Sequence, residues 1–330
     1  MFEHLRRFRR QLWGQPDANP SQAGSAVQGE AVAPVFPRVL MIVHNPPVAE
    51  RGGKRLTELF GWNDPAVLAQ QYIADLREAS YGYLNYQIVE RIDTDWYPRK
   101  IDGFQYTNAS FIDAWQRRAI HEPNAVDYPA QMRAFMLLER FNAGDFDEAW
   151  FFAHPLNGDY ESTMAGPGAF WCNSPPVADT AAAHKRFVIM AFNYERGVDC
   201  MLENYGHRAE SIMSRVYERL GRGRNMWQQF IRYDRISQGR AHCGNVHFAP
   251  NSDRDYDWGN RRPVLSGCDD WYSYPQLSGQ TRMVDCREWG NGDMRLHHMW
   301  WFQHFPHGTG TTDGVANNWW QYIRDPSLVP

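Results

Sequence analysis

RFVIMAFNYERGVDCMLENYGHRAESIMSRV, residues 186–216, decides the fold. Phe187 to Phe192 is an unbroken apolar run, the signature of a strand buried on both faces. Asn193-Tyr194-Glu195-Arg196-Gly197 then turns the chain. Beyond it, Val198, Leu202, Tyr205, Ala209, Ile212 and Val216 recur at helical spacing and form one apolar face. A strand running through a polar turn into a helix is the repeating unit of an α/β protein.

The same unit recurs upstream. Val39-Leu-Met-Ile-Val43 is a second continuous apolar strand, running into His44-Asn45-Pro46-Pro47. Asn63 or Asp64 is placed to cap a helix with Pro65 at its first position, its inner face marked by Leu68, Tyr72 and Leu76. Tyr86 to Ile92 alternates as a strand. A helix is predicted from about Pro129 to Phe141, with Met132, Phe135, Leu138 and Phe141 inward, before a strand at Ala149–Ala153. Residues 158–177 read as a long loop. The expected class is α/β: a doubly wound, mostly parallel sheet with helices on both faces, plus a loop-rich, Trp-rich C-terminal cap. The expected divisions are a basic amphipathic segment and linker over 1–36, the sheet domain over 37–218, and the cap over 219–330.

Composition narrows the function classes. The net charge of −4 over 330 residues leaves no basic field for nucleic acid. Tryptophan is heavily used, with 14 in all, and most of them lie beyond residue 220. Cys172, Cys200, Cys243, Cys268 and Cys286 contain no CxxC pair; bridges among Cys243, Cys268 and Cys286 stay open. No stretch approaches the roughly 18 apolar residues of a membrane span. Residues 1–14 set Phe2, Leu5, Phe8, Leu12 and Trp13 against four arginines, which suits either a solvated tail or a weak contact with an acidic membrane surface or a protein. Without an apolar run after those arginines the segment is not an export signal, and a cytoplasmic location is expected.

In open parallel sheets the ligand crevice lies beyond the carboxyl ends of the strands. Those ends carry His44 and Asn45; Asp93 and Asp95; His154, Asn157, Asp159 and Glu161; Asn193, Glu195 and Arg196. No GxGxxG, GxxxxGK[ST] or GxSxG motif occurs, so the common nucleotide and serine-hydrolase sites are not expected.

The helix holds a second cluster. Asp199, Glu203, His207 and Glu210 form one narrow stripe, and three acids in line need a cation, a proton or an arginine to relieve them. Glu203, His207 and Glu210 suit a divalent ion, zinc best of all. The structural alternative pairs the acids with arginines such as Arg208 or Arg295. Half of the 12 histidines fall between residues 242 and 307. His242-Cys243-x3-His247 is a compact soft cluster in a loop, and His297 and His304 stand seven apart beside Trp300 and Trp301. Asp253, Asp255 and Asp257 begin a calcium-loop pattern, but Trp258 and Val264 occupy its glycine and closing-glutamate positions, so an acidic turn is expected.

The expectation is therefore a metal-dependent hydrolase for a polar, glycan-like or peptide-like substrate. Glu203, Glu195, His154 and Asn193 are its candidate catalytic residues. His44, Asn45, Asp159, Arg196, Trp300 and Trp301 are the candidate substrate contacts, and His207, Glu210, His297 and His304 the candidate zinc ligands. The alternative is a non-catalytic glycan- or protein-binding protein using an aromatic C-terminal surface.

Overall fold

The inner strands are buried because helices flank the sheet. In the computed structural model, which describes residues 32–221 and 223–330, β1 (Arg38–His44), β2 (Gln87–Thr94), β3 (Glu148–Ala153), β4 (Ser162–Ala165) and β5 (Phe187–Asn193) form one sheet in the order β2-β1-β3-β5-β4. Only β4 runs antiparallel to its neighbour. The expected amphipathic segment over residues 1–14 lies outside the described residues. Among the described residues no helix is long and apolar enough to cross a membrane.

Alternation along each inner strand feeds two cores. Val39, Met41, Val43, Trp150, Phe152, Val188, Met190 and Phe192 point to one side and pack with α1 (Pro65–Ala79), through Leu68, Tyr72 and Leu76. Leu202, Tyr205 and Ile212 of a long helix complete that core. Leu40, Ile42, Ala149, Phe151, Phe187 and Ile189 point to the other, against Met132, Leu137 and Phe141. The edge strand β2 is exposed and charged along most of its length, which discourages further strand pairing. Asp64 caps α1 by accepting from the Ala66 N–H, with Pro65 in the first turn.

One helix lies where none was expected, and two local expectations differ from the structure. A helix at Asn108–Arg117, α2, starts from Thr107, whose side chain accepts from the Ser110 N–H. The helix predicted over 129–141 is two: α3 (Tyr128–Ala134) and α4 (Leu137–Ala143), separated by Met136 in the left-handed region at φ 49°. That residue resets the helical phase by one position, so Leu137 rather than Leu138 enters the core. The predicted loop over 158–177 contains β4, too short for a sequence period to reveal.

The long helix is α5 (Val198–Tyr217), and α6 (Met294–Gln303) packs beside it. Residues 32–330 form one compact unit. The larger core runs without a break from the sheet into the C-terminal segment, where Trp227, Trp271, Trp289, Trp301, Trp319 and Trp320 are fully buried. The C-terminal tryptophans replace the aliphatic core that a loop-rich segment does not supply. All five cysteines carry free thiols, four of them buried.

Candidate metal centre and adjoining cleft

The stripe on α5 is not neutralised by arginine. Arg208 turns away and donates to Glu148 Oε2 at 2.8 Å, and Arg295 forks Asp75 at 2.7 and 2.8 Å. Asp199 accepts from the Cys200 N–H at the first turn, where the helix dipole favours an acid. Among the described residues, the ion pairs of Glu161, Glu203 and Glu210 are with histidine alone.

The histidine that closes on the stripe is His247, from the loop after Cys243. Its Nε2 lies 3.1 Å from Nε2 of His207 and 2.9 Å from Oε1 of Glu203. On the far side of each ring stands a carboxylate: Glu210 Oε2 is 3.0 Å from Nδ1 of His207, and Asp255 Oδ1 is 3.1 Å from Nδ1 of His247. An ionised carboxylate only accepts, so in a neutral His207 Nδ1 carries the hydrogen and Nε2 turns its lone pair inward. His247 has a carboxylate at each nitrogen and satisfies both only when both carry hydrogens or a metal takes Nε2. Glu161 adds Oε2 at 3.8 Å from His207 Nε2. The Tyr256 hydroxyl, 3.1 Å from His247 Nε2, adds a neutral donor. Acceptor atoms of His207, His247 and Glu203 crowded together in this way favour a cation between them, either a proton or a metal.

The separations fit a metal. Ligands about 2.0–2.1 Å from a tetrahedral zinc lie roughly 3.3 Å apart. Here the edges of the Glu203–His207–His247 triangle are 2.9, 3.1 and 4.0 Å.

Several contacts hold His247 in place. Glu210 uses its second oxygen to accept from the Val246 N–H at 3.2 Å, and His298 donates from Nε2 to the Val246 carbonyl at 3.2 Å. Gly206 lets the loop touch α5, since a Cβ there meets Val246 Cγ2 at 2.6 Å. The electrostatics follow. Burial opposes the charged form of His207, but the Glu210 hydrogen bond and the charges of Glu210, Glu161 and Glu203 outweigh it, and its pKa lies above 6.5. Burial likewise opposes the Glu203 carboxylate, yet the His247 hydrogen bond and the neighbouring histidines hold its pKa below the usual value.

Beside this centre a cleft of about 390 Å³ opens at the carboxyl ends of β3 and β5. Glu161, Glu203 and Tyr256 line both the cleft and the centre; His154, Asn157, Asp159, Asn193, Arg196 and Asn204 supply most of its remaining polar lining. Lys100 braces one wall, donating to the carbonyls of Leu156 and Asn157 at 2.6 Å each. Gly158, at φ 76°, packs so tightly on Asn124 that any side chain would collide with the Asn124 carbonyl. Burial raises the Asp159 carboxyl to about 6, and burial, with the Lys100 and His44 charges, drives the His154 pKa well below its ordinary value.

The expected site residues divide accordingly. His154, Asn193, Asp159, Arg196 and Glu203 line one cleft, with His207 and Glu210 against it. The remainder stand elsewhere. His44 bonds Thr94 and packs between Trp96, Phe135 and Phe151, while Asn45 is tied to Thr57. These residues fill the crevice beyond β1, so the cleft opens at the next pair of strands. Glu195 turns to Arg196. Trp301 is fully buried and donates to the Gly244 carbonyl, and Trp300 is packed against Trp289 and His304. His297 sits among Trp258, Trp289 and Trp300, and His304 faces Asp269, so His247 occupies the place expected for one of them. Burying the apolar side of α6 turns His297 into the aromatic core and His304 away from the cleft.

Glu161, Asp255 and Tyr256 complete the arrangement. Asp255 belongs to the aspartate run expected to be an acidic turn. Asp253 and Asp257 of that run are engaged by Asn260, with Arg262 also on Asp253, which leaves Asp255 to His247. Comparison of the chain with protein-family models gives no match, and comparison with curated proteins gives none either.

Proposed function

We propose that the protein is a metal-dependent hydrolase, with zinc held by Glu203, His207 and His247 at the rim of the β3/β5 cleft. One observation carries the reading: two imidazole Nε2 atoms 3.1 Å apart, each ring anchored through Nδ1 to its own carboxylate. Carboxylate–histidine pairs of this kind orient metal ligands and raise their basicity. The scaffold is read as the doubly wound sheet expected from the sequence.

Zinc with three protein ligands supplies Lewis acidity and an acidified water. The chain supplies the remainder. Glu203, with its depressed pKa and its bond to His247, serves as a ligand rather than a base. The base falls to Glu161, which lines the cleft and whose Oε2, 3.8 Å from His207 Nε2, also accepts from Asn173 Nδ2 at 2.5 Å. Asp159, its carboxyl raised by burial to about 6, is placed to return a proton to the leaving group. Asn157, Asn193 and Asn204 offer amide donors and acceptors, and Arg196 a guanidinium, to a polar substrate of glycan-like or peptide-like character. The buried C-terminal tryptophans offer no stacking face to a glycan.

The test is a panel of fluorogenic peptide, glycoside, acyl and phosphate esters presented to the zinc-loaded protein. The expected result is turnover of one class that falls at least about 100-fold in Glu161→Gln with zinc content unchanged. Turnover of that class by the metal-stripped protein, or full activity in Glu161→Gln, contradicts the assignment.

A further inference from the structure

A second group of ligands lies in the C-terminal segment, apart from the cleft. His304, the residue that ends α6, is 1% exposed. Its Nδ1 donates to the Trp300 carbonyl at 2.7 Å, so Nε2 is the lone-pair nitrogen. That Nε2 is buried and has no hydrogen-bond partner. It points at the Asp269 carboxylate, 3.7 Å from Oδ1, and Asp269 Oδ1 lies 3.5 Å from Sγ of the fully buried Cys268. All three ligand atoms fall within 4.8 Å of one another.

The Cys268 thiol donates to Asp269 Oδ1, but His304 Nε2 is left without a partner. A buried acceptor aimed at a carboxylate costs free energy unless a donor or a cation lies between them. Arg282 does not fill that place: it forks Asp269 at 2.5 and 3.0 Å and Glu288 at 2.7 and 3.0 Å, and makes no hydrogen bond to His304. It orients Asp269 as an outer partner orients a metal ligand. The rings of Tyr272 and Trp300, with centroids 4.6 and 4.3 Å from that of His304, cover the imidazole, while Asp269 keeps one side open to solvent.

We propose that Cys268, Asp269 and His304 form a structural site for zinc, separate from the cleft. Thiolate, imidazole and carboxylate together select a borderline-soft divalent ion. On binding, the Cys268 S–H bond breaks, its proton leaves to solvent, and an S–Zn bond forms; no electrons are transferred. Burial holds the free thiol at a pKa of about 12, so the thiolate forms only with the cation. The ion would tie the turn at Cys268–Ser273 to the end of α6, cross-linking two parts of a segment with little regular structure.

The two sites differ in one readable respect: the cleft set of Glu203, His207 and His247 has no sulfur. Metal-stripped full-length protein is titrated with Co²⁺ and its near-ultraviolet absorption recorded. A sulfur-to-cobalt charge-transfer band is expected at one equivalent, within a total of two equivalents. The band should survive in His207→Ala, which loses the other equivalent, and in Cys200→Ser, whose thiol lines the cleft. It should vanish in Cys268→Ser and in His304→Gln, two independent substitutions checked for retained helix content by circular dichroism. Absence of the band from the wild-type chain, which needs no variant to fold, overturns the proposal. Persistence of the band in Cys268→Ser overturns it as well. Either result leaves the cleft assignment to be judged separately by the His207→Ala stoichiometry.

Discussion

Nε2 of His207 and Nε2 of His247 face each other at 3.1 Å across 40 residues of sequence, each ring backed by a carboxylate on its other nitrogen. Two neutral acceptors at that distance repel, and Glu203 adds a third. A positive charge at their centre, proton or metal, would resolve the conflict and make the five groups act as one unit.

The backing carboxylates tune that unit without touching the ion. Replacing Glu210 by Gln or Asp255 by Asn should weaken zinc binding about 10–100-fold, the usual consequence of losing an outer partner. Competition against a chromophoric chelator measures it. Glu210→Gln should be the more damaging, because Glu210 also accepts from the Val246 N–H.

Without metal, a proton does the same work, and the pH dependence has a definite sign. The folded-state pKa of His207 is raised above 6.5, so the charged ring stabilises the metal-free fold fully below that value, and the contribution fades as pH rises through the folded pKa. In metal-free protein, His207→Gln should therefore lower Tm more at pH 5.5 than at pH 8.5. Zinc competes with the proton, so its affinity should show the reverse trend and fall toward acid pH. Urea unfolding and zinc titration across that range test both halves.

Much of this was legible in the sequence, and the failures have physical causes. Strand apolarity and the Asp64–Pro65 cap suffice to place β1, β3, β5 and α1 within a residue or so, because burial on both faces writes itself into local composition. The stripe on α5 is equally local, since residues three and four apart must share a face. His247 is different. Its partnership with His207 is a long-range contact made by a loop, and α6, with its regular spacing, made His297 and His304 the more attractive expectation. His297 is packed into the aromatic core, and His304 faces Asp269 away from the cleft. Aromatic content alone does not separate a stacking surface from a core, and here Trp300 and Trp301 belong to the core.

Arg208 stabilises the junction rather than the site. It is fully buried, pairs with Glu148 at 2.8 Å, and donates to the carbonyls of Ile323 and Arg324 at 2.9 and 3.1 Å, joining α5 to the C-terminal segment. Arg208→Met strands the Glu148 carboxylate in the core and should cost about 3–5 kcal/mol by denaturant unfolding. The double variant Arg208→Met/Glu148→Leu should cost less than the sum of the single changes.

Gly206 connects packing to the centre. In Gly206→Ala the new methyl meets Val246 Cγ2 at 2.6 Å, and a β-branched side chain yields little. Overpacking of about 1–3 kcal/mol is offset by about 1 kcal/mol of helix propensity, so Tm should fall only modestly. The loop that carries His247 must shift, however, and zinc affinity should fall by more than the stability change implies. Parallel Tm and zinc measurements on this variant separate the two effects.

The most direct test of the central claim is an anomalous difference map, measured at the zinc edge, from zinc-loaded crystals. A peak is expected within bonding distance of Nε2 of both His207 and His247, with Glu203 completing the set. Full-occupancy zinc elsewhere, with these two rings bridged to a carboxylate by a proton and no peak between them, would contradict it.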